Sequence, residues 1–204
     1  MKTAFVTDST LGLSPQAALE QDIHLLLAQV ILEGKSYRDY LDITPAQITE
    51  ALKAGKTVTT SQSSPADVQT LYEDLLSNHQ RVLSVHMSSK LSGFVSTAKM
   101  VAAAFGGRVQ VIDSLSFNAG LGYVLGEARR KLASGVAWEN LERAIAPFRA
   151  RVRGFILPKT LEYLKRSGRV SGLEHFVGSL LNILPVLEIQ EGLVNPVARV
   201  HGFH

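Results

Sequence analysis

Residues 81–105 read "RVLSVHMSSKLSGFVSTAKMVAAAF". The first seven, "RVLSVHM", are a short apolar run rich in β-branched residues, which is the pattern of a buried strand. Residues 92–105, "SGFVSTAKMVAAAF", are helix-like, and Gly106-Gly107 stops them. Between the two lies a turn holding Ser88, Ser89, Lys90 and Ser92. A short apolar strand that passes through a tight turn into a helix is the unit from which parallel α/β sheets are built. In such sheets, ligands bind beyond the carboxyl ends of the strands. A helix N-terminus at that edge favours an anion.

Outward from this unit the same alternation repeats. "TAFVT" (3–7) and "RVQVID" (108–113) read as strands, and "LLLAQVILE" (25–33) as one more. "SPQAALEQD", "TPAQITEALKAG" and "SPADVQTLYEDLLSN" each open with Ser or Thr followed by Pro, an N-cap with proline at the first helical position. Helices are also expected over 118–135 and 137–152. Beyond 152 the pattern changes: strand 154–158, helices 160–168 and 171–183, and strand 185–190. A tight Glu191-Gly192 turn then leads into 193–202, which is a hairpin signal. The expected fold is α/β, with a parallel sheet covered by helices on both faces over 1–152. A smaller α+β unit is expected over 153–204.

Composition excludes several classes of function. Of the 204 residues, 46% are hydrophobic and 19% charged, so a real core is expected. A net charge of +3 without a basic run does not point to nucleic acid. With no cysteine, disulfides and thiolate chemistry are excluded. The longest apolar stretch, "IHLLLAQVIL" (23–32), is about half a membrane span. The N-terminus lacks a signal-peptide pattern, and the expected location is the cytoplasm. The six histidines show no ligand spacing and there is no HExxH, so no metal site is expected.

Hydroxyls dominate the expected sheet edge. Asp8, Ser9 and Thr10 follow the first strand, Ser114 and Ser116 the strand at 108–113, and "TVTTSQSSP" (57–65) precedes a helix. Any one of these segments reads equally well as a cap or turn. Together they suggest converging donors. There is no GxxxxGK[ST] and no GxGxxG, so a single carboxylate suits the set better than a phosphate. A second reading is catalytic. His86 and Ser88 are two apart on a strand and share a face, which leaves open a hydrolase- or transferase-type enzyme with a serine near His86. No GxSxG elbow accompanies it.

Taken in order, "VTDST" (6–10), "YRDYLDI" (37–43), "TTSQSSP" (59–65), "VHMSSKLSG" (85–93), "VIDS" (111–114), "TLEYLKRSGRVS" (160–171), "GSLLNILPVL" (178–187) and "VNPVARVHG" (194–202) resemble the DegV family of bacterial fatty-acid-binding proteins. The resemblance implies a three-layer α/β/α N-terminal domain and a smaller α+β domain that continues past residue 204 in the family. It further implies a long-chain fatty acid as ligand, with no cofactor and no catalysis. The family's carboxylate-binding threonine and serine fall on Thr60 and Ser92, with Ser61, His86, Ser88, Ser89 and Gly93 in the same motifs. Some members present the acid to a separate kinase subunit that makes an acyl phosphate for phospholipid synthesis. Lys165, Arg166 and Arg169 lie in a family motif suited to that docking. The glycine-spaced segment 117–126, with Gly120, Gly122 and Gly126, and segment 176–187 are the expected tail lining. The chain departs from the family pattern at Tyr40 (usually glycine), Ser63 (proline), Phe94 (small or threonine) and Leu184 (lysine).

Overall fold

A computed structural model of the protein describes residues 2–170 and 183–201. The fold is mixed α/β. Strands β1 (Thr3–Asp8), β2 (His24–Leu26), β6 (Arg81–His86) and β7 (Val109–Asp113) form a parallel sheet in the order β2-β1-β6-β7. Helices α3 (Pro65–Asn78) and α4 (Phe94–Ala102) cover one face, and α5 (Ala119–Ala133) and α6 (Leu141–Arg149) the other. The alternation along β6 divides the core. Val82 packs with Tyr72 and Ala98 on the first side, and Leu83 and Val85 pack with Leu121, Leu125 and Ile145 on the second. Such two-sided burial explains why these strands read as continuous apolar runs.

The three Ser/Thr-Pro signals all mark helix starts. Ser14 accepts from the Ala17 N–H at the start of α1 (Pro15–Leu19). Thr44 and Ser64 form reciprocal capping boxes with Gln47 and Asp67 at the starts of α2 (Pro45–Lys53) and α3.

Two further sheets were only partly legible. The apolar run 25–33 is two strands rather than one. It leaves the parallel sheet after β2 and re-enters as β3 (Gln29–Leu32), the centre of an antiparallel sheet ordered β4-β3-β5. Its outer strands are β4 (Lys35–Arg38) and β5 (Val58–Ser61). β5 is the first part of the polar segment read as a loop. Its side chains are almost all exposed, so no hydrophobic alternation betrays it. The third sheet, β10-β9-β8, is antiparallel and contains the expected hairpin: β9 (Ile183–Gln190), the Glu191-Gly192 turn and β10 (Leu193–His201). β8 (Gly154–Ile156) pairs with β9 at Ile156↔Leu187. Its inner face, Leu187, Ile189 and Val194, packs on Leu91 of the turn after β6. The Ser88 hydroxyl donates to the Gly192 carbonyl at 2.8 Å, which ties the hairpin to that turn. Gly192 has φ +82°, and a Cβ there would strike Ser88 Oγ, so glycine is required twice over.

Helix α7 (Glu162–Ser167) follows β8 as expected. The helix expected over 171–183 falls almost wholly outside the described residues. Among the described residues, no helix is long and apolar enough to cross a membrane.

Candidate functional site

A cavity of about 420 Å³ opens where the parallel sheet's carboxyl edge, the β4-β3-β5 sheet and α7 meet. Ala28 and Val30 of the β3 segment line it. The polar lining comes from Thr10, Asp39, Thr60, Ser61, Gln62 and Ser92, with Ser167 and Arg169 on the α7 side. The remaining lining is apolar and includes Met87, Leu91, Phe94, Phe117, Ile156 and Leu164.

Thr60 reaches this cavity because β5 pairs with β3 at Val30↔Thr60, and directly paired residues share a face. Ser92 reaches it from the turn that starts α4. The N-cap of α4 is Gly93, and no side chain caps the helix, so its first N–H groups are open to a ligand. Gly93 is needed for close approach: a Cβ there would lie 2.8 Å from Gln62 Nε2. Among the described residues, no protein group pairs with the hydroxyls of Thr60, Ser61 or Ser92.

Asp39 is the cavity's carboxyl group, and sequence reasoning passed over it. It sits half-buried in a turn clasped by Arg38 and Asp42, whose side chains meet at 2.7 and 2.8 Å. Burial pushes its pKa upward, against the opposing pull of the Ser9 hydroxyl and the Tyr40 N–H. Tyr40 has φ +63°, a left-handed backbone that favours glycine, the residue the family resemblance leads one to expect here. Periodicity could not have revealed Asp39, because β3 was not separable from β2 in the apolar run 25–33.

His86 lies outside the cavity. It is fully buried, with Nδ1 at 3.0 Å from Asp8 Oδ2 and Nε2 at 2.7 Å from Ser84 Oγ. Tyr72 donates to Ser84 Oγ at 2.8 Å, and the Thr10 hydroxyl and Met87 N–H donate to Asp8. One arrangement satisfies the whole chain: Tyr72 donates to Ser84, Ser84 to His86, and His86 to Asp8. The expected pairing of His86 with Ser88 is not formed. Its serine partner is Ser84, two residues before it rather than two after, on the α3/α4 side of the sheet. The His86 ring stacks on Phe94 at 5.8 Å, and Phe94 separates it from the cavity.

Of the other expected site residues, Ser61 and Gly93 line the cavity, whereas Ser88 and Ser89 do not. Ser88 is buried and committed to Gly192, and Ser89 is an exposed turn residue whose N–H meets Asp113. Ser114 and Ser116 bond each other's turn. Lys165 and Arg166 are exposed at the end of α7, with Arg166 paired to Glu162 at 2.7 Å. Arg169 lines the cavity. Within 117–126 only Phe117 reaches the cavity. A Cβ on Gly120 would strike Ser116, and one on Gly122 would lie 3.1 Å from Leu11, so these glycines serve helix packing. Most of 176–187 lies outside the described residues. Ile156, Leu164 and Val194 supply apolar lining instead.

Comparison with known proteins identifies the family and the fold. The family described as "Uncharacterised protein, DegV family" matches residues 2–204. A DegV domain-containing protein of Deinococcus radiodurans is 34% identical, over 99% of this chain and 72% of its own length. A DegV family protein from Thermus thermophilus, solved as a fatty-acid-binding protein, superposes with a TM-score of 0.88. It is 37% identical and is covered over 72% of its length by 99% of this chain. DegV of Bacillus subtilis, described as a fatty acid binding protein, gives a TM-score of 0.83 at 27% identity, over 98% of this chain and 72% of its own. The chain belongs to the DegV family.

Proposed function

We propose that this protein binds a long-chain fatty acid as a carrier and does no chemistry on it. Thr60 Oγ1 and Ser92 Oγ donate to the carboxylate beside the uncapped start of α4, and the tail lies against the apolar lining. The observation that carries this reading is the union, in one cavity, of uncommitted hydroxyls at one side with a mostly apolar wall. The fatty-acid-binding relatives support it.

Magnitudes agree with a carrier. Burying about fifteen methylene groups at ~0.8 kcal/mol each gives roughly 12 kcal/mol gross, and association and ordering offset several of those. The tail therefore dominates affinity, and the hydroxyls set orientation. The acid would be presented to a separate kinase subunit for acyl-phosphate formation, with Lys165, Arg166 and Arg169 as part of the docking face. The serine-enzyme reading has less support. Asp8, His86 and Ser84 are in contact, but all three are fully buried and Ser84 is held by Tyr72, so no substrate reaches them.

Native mass spectrometry of protein purified from bacteria tests the proposal. A copurified mass matching an acyl chain is expected. If no such lipid is found and added oleate leaves the melting temperature unchanged, the carrier reading fails.

A further inference from the structure

Asp39 and Arg169 are the two ionisable side chains lining the cavity among the described residues. Arg169 enters from beyond α7, where its guanidinium donates to the Ser167 carbonyl at 2.6 Å. Asp39 enters from the end of β4, and its position follows from strand register. Val30 pairs with Thr60 on one side and Tyr37 on the other, and the Asp39 N–H donates to Ala28 O at 2.9 Å. Ala28 and Val30 are two apart, so Ala28, Val30, Thr60 and Asp39 all project from one face of this sheet. Thr60 and Asp39 thus flank β3 on its two neighbouring strands, offset by two residues along it, so their backbones lie roughly 12 Å apart. One carboxyl group with a hydrogen bond of about 2.8 Å at each side, added to the two side chains, spans that gap.

The surroundings make an ionised Asp39 costly once an acid is bound. Among the described residues it makes no ion pair. Arg38 and Asp42, on the same turn, are exposed and bound to each other. Asp8, at the end of β1, is engaged by His86, Thr10 and Met87. The Ser9 hydroxyl oxygen accepts from the Ala28 N–H at 3.1 Å, which leaves its single proton free for Asp39. Two carboxylates and the Arg169 guanidinium then share one partly apolar site, so one negative charge stays uncompensated there, and a shared proton resolves this. The upward pKa shift of Asp39 is in the direction such sharing needs.

We propose that Asp39 is a further binding residue for the ligand's carboxyl group, taking up one proton from solvent as the acid enters and donating it in a hydrogen bond to the ligand. The step balances as one proton transfer: the acid arrives as its anion, a buffer acid or hydronium ion loses one proton, an O–H bond forms on the Asp39–ligand pair, and proton and ligand leave together. This rests on the fatty-acid reading of the same cavity and adds an ionisation rule to it. The protein would favour acids over their neutral alcohols, and would hold acids more tightly as pH falls.

Calorimetric titration of lipid-free protein with laurate, repeated near neutral pH in two buffers of different ionisation enthalpy, tests the proposal. Wild-type protein is expected to take up close to one proton per laurate, with affinity rising by up to about tenfold for each pH unit lowered. Asp39→Asn keeps a donor but cannot titrate. It is expected to bind laurate without proton uptake and with affinity flat across the neutral range, where the free acid, with a pKa of about 4, stays ionised. Dodecanol should bind wild-type protein without pH dependence. Laurate binding with no proton uptake, or uptake that persists in Asp39→Asn, overturns the assignment while leaving the carrier reading intact. Failure of wild-type protein to bind laurate or oleate at all overturns the carrier reading and this inference together.

Discussion

Two clusters of hydroxyl and carboxyl groups meet at the Phe94 ring, and they differ in what remains uncommitted. On one side, Tyr72, Ser84, His86 and Asp8 form a fully buried chain in which each member has a partner. On the other, Thr60, Ser61 and Ser92 face a cavity with no protein partner among the described residues. The residue types are almost the same, and the first cluster even has the composition of a catalytic triad. Buried polar groups that satisfy one another fix a core. Solvent-facing hydroxyls with no protein partner beside an apolar wall are what a ligand site offers. The difference is therefore one of stability against binding, and substitutions should separate the two.

The largest effect is expected in the closed cluster. Asp8→Ala strands the His86 ring nitrogen, the Met87 N–H and the Thr10 hydroxyl, and should cost roughly 3–5 kcal/mol in urea unfolding. A loss below about 1 kcal/mol would show that the cluster does not hold the core. Next comes the open cluster. Thr60→Ala combined with Ser92→Ala removes two hydrogen bonds to a charged acceptor, at roughly 1.5 kcal/mol or more each. Oleate affinity should fall about a hundredfold, while the stability of lipid-free protein stays within about 0.5 kcal/mol of wild type. A large stability loss with unchanged affinity would reverse the two assignments.

Tyr72→Phe should cost about 1 kcal/mol, and it has a pH signature. Burial pushes the Tyr72 phenol up to about 12. Between the ordinary tyrosine range and that value, the folded protein holds a proton that the unfolded chain releases, so stability falls as pH rises through this window. A phenolate absorbance titration should show one late tyrosine that is missing from Tyr72→Phe. The smallest effect concerns Asp39 in lipid-free protein. Its folded pKa is raised, so the folded state binds more protons and stability declines as pH rises through its titration. Asp39→Asn should remove that decline. A decline that persists in the variant would place its origin elsewhere.

What the sequence made legible follows the same division. The buried parallel strands, the three proline-marked helix starts and the 185–202 hairpin were readable because each carries a strong local signal: an apolar run, an N-cap, or a tight turn between strands. The β4-β3-β5 sheet was not readable. β5 is almost wholly polar on the surface, and β3 is merged with β2 in a single apolar run. Counting hydroxyls pointed to the loops that hold Thr60 and Ser92, and the family resemblance alone singled out these two, which the structure places in one cavity. Asp39 needed the register of that hidden sheet. His86 misled because period-two spacing relates it equally to Ser84 and Ser88, and only packing decides between them. Phe94 shows how: its ring stacks on His86 and separates it from the cavity that Ser92 lines.

The central claim is that Thr60 and Ser92 recognise a carboxylate at the head of an acyl chain. The most direct measurement is the melting temperature of lipid-free wild-type protein and of the Thr60→Ala/Ser92→Ala variant, each with oleate and with oleyl alcohol. The two ligands share a tail and differ only at the head, and a ligand raises the melting temperature according to its affinity. Wild-type protein should be stabilised more by the acid than by the alcohol, and that preference should shrink in the variant, which keeps only Asp39 of the three carboxyl-binding side chains. An equal preference for the acid in both proteins, or no stabilisation of wild-type protein by either ligand, would contradict the claim.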